Sequence, residues 1–317
     1  MSDVLQNLSD ELAGVVEATG PALVRVEARR RLPASGIVWS ADGLIVTANH
    51  VLEADEGIRI GFQDGETAEA QIVGRDPSTD LALLRTDRAD LSAPEWGDIN
   101  ALKVGNIVLA LGRPAENPLA TLGVVSALEE NWRMSMGNGG GRKRGSRRRG
   151  GQGRRVHLEY FLQTDVVMYP GFSGGPLVAA NGQLLGLNTS ALLRGISLTL
   201  TPPTLMRVMG VLATHGRVQR GYLGVGVQPV ELPADVAAHL GQAQGVMVVS
   251  VEPDSPAAAG GFVLGDTLVQ LDGDPVQDVD ELLGSLTGER VGQSVPVMVL
   301  RAGAVQEFEV TIGERPE

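Results

Sequence analysis

Between Ala22 and Thr201 the chain is built from short apolar or alternating runs: Ala22–Ala28, Gly43–Ala48, Ile107–Gly112, Thr121–Ser126, Leu184–Thr189 and Ser197–Thr201. Gly, Pro, Asn or Asp punctuates most of them, the pattern of strands joined by tight turns. Few helical periods lie between the runs, which disfavours a parallel sheet, because its crossovers need helices. The expected fold is therefore mainly β, a sandwich or barrel. A helical period arrives at Thr204–His215, where Leu205, Val208, Met209 and Leu212 fall at i, i+3, i+4 and i+7 behind Pro202-Pro203, and Gly216 supplies a C-terminal stop. Gly216 to Gly221 reads as a hinge, and a second series of strands starts at Tyr222. The expected organisation is an N-terminal segment (1–20), a β domain closed by a helix (21–216), a linker (217–221) and a C-terminal domain (222–317).

Composition narrows the function classes. The 317 residues are 43% hydrophobic with mean hydropathy near zero, as in a folded globular chain. There is no cysteine, which removes disulfides, zinc–thiolate sites and thiol catalysis together. No pair of histidines and no His–carboxylate cluster has ligand spacing, so no metal and no cofactor is expected. The first ten residues lack a basic n-region and an apolar h-region, and no apolar run is long enough to span a membrane. The chain as it stands reads as cytoplasmic, or as periplasmic or cell-envelope if it is a mature or trimmed form. The net charge of −12 is concentrated after Tyr222, with fifteen Asp and Glu against three Arg. In contrast, Arg142 to Arg155 carries eight basic residues, no acid and no apolar anchor, and reads as a loop insertion (137–155). Such a patch fits an anionic activator, nucleic acid or polyphosphate; the alternative is a solvated loop without a partner.

The sharpest local sequence is Gly171-Phe-Ser-Gly-Gly-Pro-Leu177. Glycines on both sides of one serine allow a tight turn that exposes the hydroxyl and lets backbone N–H groups converge, which is what acyl transfer needs. An ordinary Gly-rich loop has the same composition. A serine nucleophile requires a base, and the chain offers four histidines. His157 follows Arg154-Arg155, which disfavour a second positive charge; His215 ends the helix before the hinge; His239 lies in the acidic C-terminal part on an expected surface helix. His50, after the apolar run Leu44–Ala48, remains, with a buried structural histidine as the alternative. The carboxylate that would orient it is Asp80, at the passage from Asp76-Pro-Ser-Thr-Asp80 into the apolar run Leu81–Leu84. Asp76 is a rival that Pro77 places more naturally in a turn. The order His50, Asp80, Ser173 is that of the chymotrypsin type.

Thr47-Ala-Asn-His-Val51, Asp76-Pro-Ser-Thr-Asp-Leu-Ala-Leu-Leu84, Leu162-Gln-Thr-Asp165 and Gly171-Phe-Ser-Gly-Gly-Pro176 together resemble the motifs of the HtrA/Deg serine proteases. The resemblance implies a chymotrypsin-like protease domain of two six-stranded β-barrels, followed by an α+β PDZ domain. It implies Ser173 as nucleophile, His50 as base, Asp80 as its orienter, and the backbone N–H groups of Gly171 and Ser173 as the oxyanion hole. Phe172 stands where the family usually has Asn. Val167 and Leu198 are implied as walls of a specificity pocket suited to a small aliphatic side chain. Tyr222-Leu223-Gly224-Val225 is similar to the loop of PDZ domains that captures a peptide's terminal carboxylate, and Leu283 falls on the helix that flanks the peptide groove. The expected partners are unfolded polypeptides or exposed C-termini, and a homotrimer built through the N-terminal segment. A scaffold or chaperone with an inactive protease fold is the alternative function.

Overall fold

A computed structural model of the chain describes residues 2–30, 32–130, 160–192 and 197–315. The basic stretch 142–155, the activator site assigned to it, and His157 lie outside the described residues. The chain forms two compact units, Met1–Val218 and Gln219–Glu317.

The first unit holds two closed antiparallel barrels of six strands each. The first comprises β1 (Leu23–Glu27), β2 (Ala34–Val38), β3 (Leu44–Ala48), β4 (Ile58–Gly61), β5 (Thr67–Asp76) and β6 (Leu81–Thr86), paired around the barrel in the order β1-β2-β3-β6-β5-β4. The second comprises β7 (Ile107–Gly112), β8 (Leu119–Glu130), β9 (Tyr160–Thr164), β10 (Pro176–Ala179), β11 (Leu184–Thr189) and β12 (Ser197–Leu200), in the order β10-β11-β12-β9-β8-β7.

Runs apolar at every position, rather than alternating, follow from a demand on both faces of a strand. On β6, Ala82 and Leu84 fill the first barrel, whereas Leu81 and Leu83 point to a layer shared by the two barrels. On β7, Val108 and Ala110 fill the second barrel while Leu109 and Leu111 join the same layer. Helix α2 (Pro202–His215) covers this layer with Leu205, Val208, Met209 and Leu212, the four residues of the helical stripe, and ends where Gly216, at φ +72°, donates its N–H to Leu212 O. Each fully buried Leu, Val or Met contributes about 1.5–3 kcal/mol. The segment 1–20 forms helix α1 (Ser2–Thr19), which reaches the layer with Leu12, Val15 and Val16 and leaves Val4, Leu5 and Leu8 exposed.

The second unit is a five-stranded antiparallel sheet, β14 (Val225–Glu231), β15 (Gln244–Val251), β16 (Thr267–Leu271), β18 (Ser294–Arg301) and β19 (Ala304–Thr311), with β17 (Asp274–Pro275) beside β16. A separate pair joins β13 (Gly221–Tyr222) to β20 (Gly313–Glu314). Three short helices complete it: α3 (Ala234–Leu240), α4 (Pro256–Gly260) and α5 (Val279–Ser285). His239 is exposed on α3. The core gathers Leu223, Val246, Val248, Leu268, Leu282, Val297 and Ile312. Among the described residues of this unit one carboxylate is sealed: Asp266, whose side chain is fully buried, takes a two-pronged ion pair from Arg301 at 2.7 Å through Nε and Nη2, and Val263 N–H at 2.9 Å. Burial raises the Asp266 pKa, but the Arg301 and Val263 bonds outweigh it and hold the carboxyl below the ordinary value. A depressed carboxylate stabilises the fold above its unfolded pKa of about 4, and the contribution is lost as pH falls through the folded value. Asp266→Asn is expected to cost about 2–4 kcal/mol at neutral pH, with the difference from wild type shrinking below about pH 4. Amide hydrogen exchange in β16 and β18 across that range measures it; a deficit independent of pH would contradict the assignment.

Candidate functional site

Ala48 ends β3, and the chain makes one tight turn, Asn49–Val51, that carries His50. Opposite it, Asp80 occupies the residue before β6 with φ +58°, a left-handed conformation that Asp tolerates better than most side chains. That backbone brings its main-chain carbonyl to Asn49 N at 2.9 Å and its carboxylate to His50 twice: Oδ1 accepts from the backbone N–H at 2.8 Å, and Oδ2 lies 2.7 Å from Nδ1. A carboxylate accepts only, so Nδ1 is the donor of this bond, which in a neutral ring leaves Nε2 as the acceptor. Thr189, at the end of β11, donates its hydroxyl to the same Oδ2. Asp80 is buried, and the His50 side chain is 30% exposed. The rival Asp76 spends its carboxylate on the turn, accepting from Ser78 and from Thr79 Oγ1 at 2.7 Å.

Ser173 sits on a turn whose peptide planes are each held. Tyr169-Pro170-Gly171-Phe172 closes with Phe172 N–H on Tyr169 O at 3.1 Å; proline followed by a glycine at φ +97° is the composition of a type II turn. Gly171 O accepts from Ser35 Oγ at 2.6 Å, Phe172 O from Gly175 N at 2.9 Å, and Ser173 O from Ser35 N at 3.2 Å. In a trans peptide the N–H points opposite to the preceding carbonyl. With Phe172 O held by Gly175, the Ser173 N–H points the other way, and neither it nor the Gly171 N–H has an acceptor among the described residues. Phe172 is fully buried in the second barrel with Val108, Leu177 and Leu185, and meets Tyr169 edge-on at 5.9 Å, so the ring anchors the turn. Gly174, at φ +87°, passes so close to β2 and β3 that a Cβ would lie 2.1 Å from Ser35 O.

The structure thus joins His50 to Asp80 directly. It does not join Ser173 to His50 by a hydrogen bond: Ser173 Oγ pairs instead with Ser190 Oγ at 3.1 Å. Of the two pocket residues, Val167 is half-exposed, with its carbonyl held by Thr121 Oγ1 at 3.0 Å. Leu198 is 1% exposed and packs in the inter-barrel layer with Leu187 and Leu200. Strand alternation turns it to the same side as Leu200. Thr189, Ser190 and Ser35 carry polar contacts of the site that sequence reasoning missed; a single Ser or Thr on a strand has no signal of its own.

In the second unit, Leu223 and Gly224 turn their carbonyls inward, to Ala257 N and Glu252 N, each at 2.8 Å. By the same trans-peptide rule the N–H groups of Gly224 and Val225 face away from those partners. Val225 then starts β14, an edge strand with α5 packed beside it. Tyr222 ties its hydroxyl to Glu252, a bond that raises the phenol pKa. The Leu223 side chain is buried in the core, so only its backbone is available at the loop, whereas Leu283 on α5 is exposed beside buried Leu282.

Residues 34–187 match the trypsin-like peptidase domain family, and residues 221–312 match the PDZ domain family. The serine endoprotease from Yersinia pestis, a solved structure, is 30% identical with a TM-score of 0.75, and the alignment covers 96% of this chain and 98% of that one. HtrA-type protease AlgW, solved with a tripeptide, is 31% identical with a TM-score of 0.74 over 96% of this chain and 98% of that one. The chain belongs to the HtrA-type serine proteases. HtrA-type protease AlgW, solved with a decapeptide, is 28% identical with a TM-score of 0.76 over 96% of this chain and 99% of that one. A curated relative from Halomonas elongata, a probable periplasmic serine endoprotease DegP-like, is 33% identical over 294 residues, 91% of this HtrA-type chain. A Chlamydia trachomatis protein of the same description is 32% identical over 92% of the chain. The chain spans 58% and 56% of the lengths of these two relatives.

Gly174→Ala forces both a disfavoured φ and a backbone collision. We expect it to lower stability by about 2–4 kcal/mol, read as a drop in Tm; an unchanged Tm would show that the turn has room to move.

Proposed function

We propose that this HtrA-type chain is a serine endopeptidase acting on unfolded or C-terminally exposed polypeptides, with Ser173 as nucleophile, His50 as general base and Asp80 as its orienter. The observation that carries the reading is the grip of Asp80 on His50, through backbone and ring at once, which fixes the tautomer whose Nε2 can accept a proton. In the reaction the Ser173 hydroxyl rotates from Ser190 to His50 Nε2, gives up its proton and attacks the scissile carbonyl. The developing oxyanion is held by the N–H groups of Gly171 and Ser173. His50 then protonates the leaving amine, and water hydrolyses the acyl-enzyme by the reverse relay. The half-exposed Val167 supports an aliphatic residue in the specificity pocket.

The PDZ domain is proposed to bind peptide C-termini. The terminal carboxylate would take the N–H groups of Gly224 and Val225, and the peptide would add to the free edge of β14 beside Leu283. Relatives solved with a decapeptide and a tripeptide support polypeptide ligands. The relatives' names support a periplasmic setting and give no support to a cytoplasmic one; no helix among the described residues is long and apolar enough to cross a membrane. Assembly as a homotrimer through the N-terminal segment fits the exposed Val4, Leu5 and Leu8 of α1.

The Ser173–Ser190 pairing is the one observation that favours the alternative, a peptide-binding scaffold with an idle protease fold. A fluorophosphonate probe separates the two. Labelling of wild type, abolished in Ser173→Ala and slowed at least about 10⁴-fold in His50→Ala, is the expected result. Ser190→Ala should label about 2–5-fold faster, since it removes a ground-state hydrogen bond of about 0.5–1 kcal/mol; no labelling of any variant would favour the scaffold. For the PDZ domain, a peptide with a free C-terminus should bind at least about tenfold more tightly than its amidated form, one charge-assisted contact being worth about 1.5–3 kcal/mol. Equal affinities would count against carboxylate capture.

A further inference from the structure

Ser35 is fully buried on β2 and grips the nucleophile turn with several polar groups at once. Its hydroxyl accepts from Arg113 N–H at 2.8 Å, so the single hydroxyl proton is free to go to Gly171 O, 2.6 Å away. Its own N–H donates to Ser173 O at 3.2 Å, and its carbonyl takes Thr47 Oγ1 at 2.7 Å. Arg113 is itself 2% exposed, with its guanidinium on Glu116 O at 3.0 Å and Gly20 O at 3.2 Å, so the group that sets the direction of the Ser35 hydroxyl is anchored. Pro114 closes the other side of Gly171, where a Cβ would lie 2.5 Å from the proline ring.

We infer that Ser35 is a positioning residue for the oxyanion hole, acting through the Gly171 carbonyl; the inference rests on the proposal that Ser173 attacks and that Gly171 and Ser173 N–H hold the oxyanion. The argument is one of peptide planes. The bond from Phe172 N–H to Tyr169 O is common to type I and type II turns, so the hold of the Ser35 hydroxyl on the Gly171–Phe172 plane is the further restraint on the turn in which Gly171 has positive φ. Without that bond the turn can exchange to a type I form, whose second central residue has negative φ. The Pro170–Gly171 plane flips between the two forms, and the Gly171 N–H leaves its direction. The Ser35 N–H bond to Ser173 O holds the plane on the other side of the nucleophile. Ser35 contacts neither the nucleophile's hydroxyl nor the imidazole, so its effect falls on stabilisation of the tetrahedral state and leaves substrate binding untouched.

The test compares Ser35→Ala and Ser35→Cys with wild type in the full chain, using a chromogenic peptide substrate and a peptide boronic acid that forms a tetrahedral adduct on serine. Losing a whole oxyanion donor costs about 10²–10³ in kcat; misorienting one is expected to lower kcat and boronate affinity by about tenfold or more, with KM within about twofold and the pH profile unmoved. Ser35→Cys, which retains a weak donor, should fall between Ala and wild type. Unchanged kcat in a folded variant, or a rise in KM that matches the loss in kcat/KM, would overturn the inference. So would failure of both variants to fold, which would make Ser35 a residue of the core alone. Ser173→Ala in the same assay isolates the underlying proposal: if it still turns over substrate, the nucleophile has been misassigned, whatever Ser35 does.

Discussion

The Asp80 carboxylate is the joint on which the site depends. Its two oxygens meet the backbone and ring of His50, which follows β3 of the first barrel, and the hydroxyl of Thr189, which ends β11 of the second. A buried anion is costly unless its lone pairs are taken, and here they are taken by groups from both barrels. The same contacts that make Asp80 tolerable therefore hold a histidine ring in one orientation at the barrel boundary. The left-handed φ of Asp80 is the local strain that permits it.

Around that joint the apolar layer supplies rigidity. Strands that bury both faces leave their ends little freedom, and His50, Asp80 and Thr189 all sit at strand ends or in the turns beside them. The nucleophile turn is anchored in a different way. Phe172 reaches into the second barrel, so the residue next to Ser173 is a core residue, and the turn's position is tied to the packing of Val108, Leu177 and Leu185. The ring stands where the family usually has a polar side chain, yet its burial is a stabilising contact for the turn rather than a disturbance of it.

Much of this was legible in the residues themselves. The apolar runs anticipated β1, β3, β7, β11 and β12, since six or so alternating or apolar residues between breakers have few other outcomes. The stripe of α2 was readable because four large residues share one face and a glycine follows. Helix α1 was passed over although Leu5, Leu8, Leu12 and Val15 fall at i, i+3, i+7 and i+10; only its C-terminal part touches the core. For the site, Ser173, His50 and Asp80 could be nominated by elimination and order, because each has a distinctive chemical type. The burial of Leu198 was not legible, because a resemblance of motifs says nothing about which face of β12 the residue occupies. Ser35, Thr189 and Ser190 were invisible, since their importance lies wholly in which long-range partner a hydroxyl meets.

Two hydroxyl contacts then set the character of the resting site, and they work in opposite senses. The bond from Ser35 to Gly171 O is between groups buried on every side, where an unmade hydrogen bond is expensive, so it restrains the turn strongly. The bond between Ser173 and Ser190 involves an exposed partner, where water can replace it at little cost. The stronger restraint thus falls on the backbone of the turn and the weaker on the Ser173 side chain. In the proposed mechanism the pairing with Ser190 competes with the imidazole for the same hydroxyl and lowers reactivity by a population factor. Under the proposed mechanism the turn keeps its fold and the Ser173 hydroxyl alone changes partner.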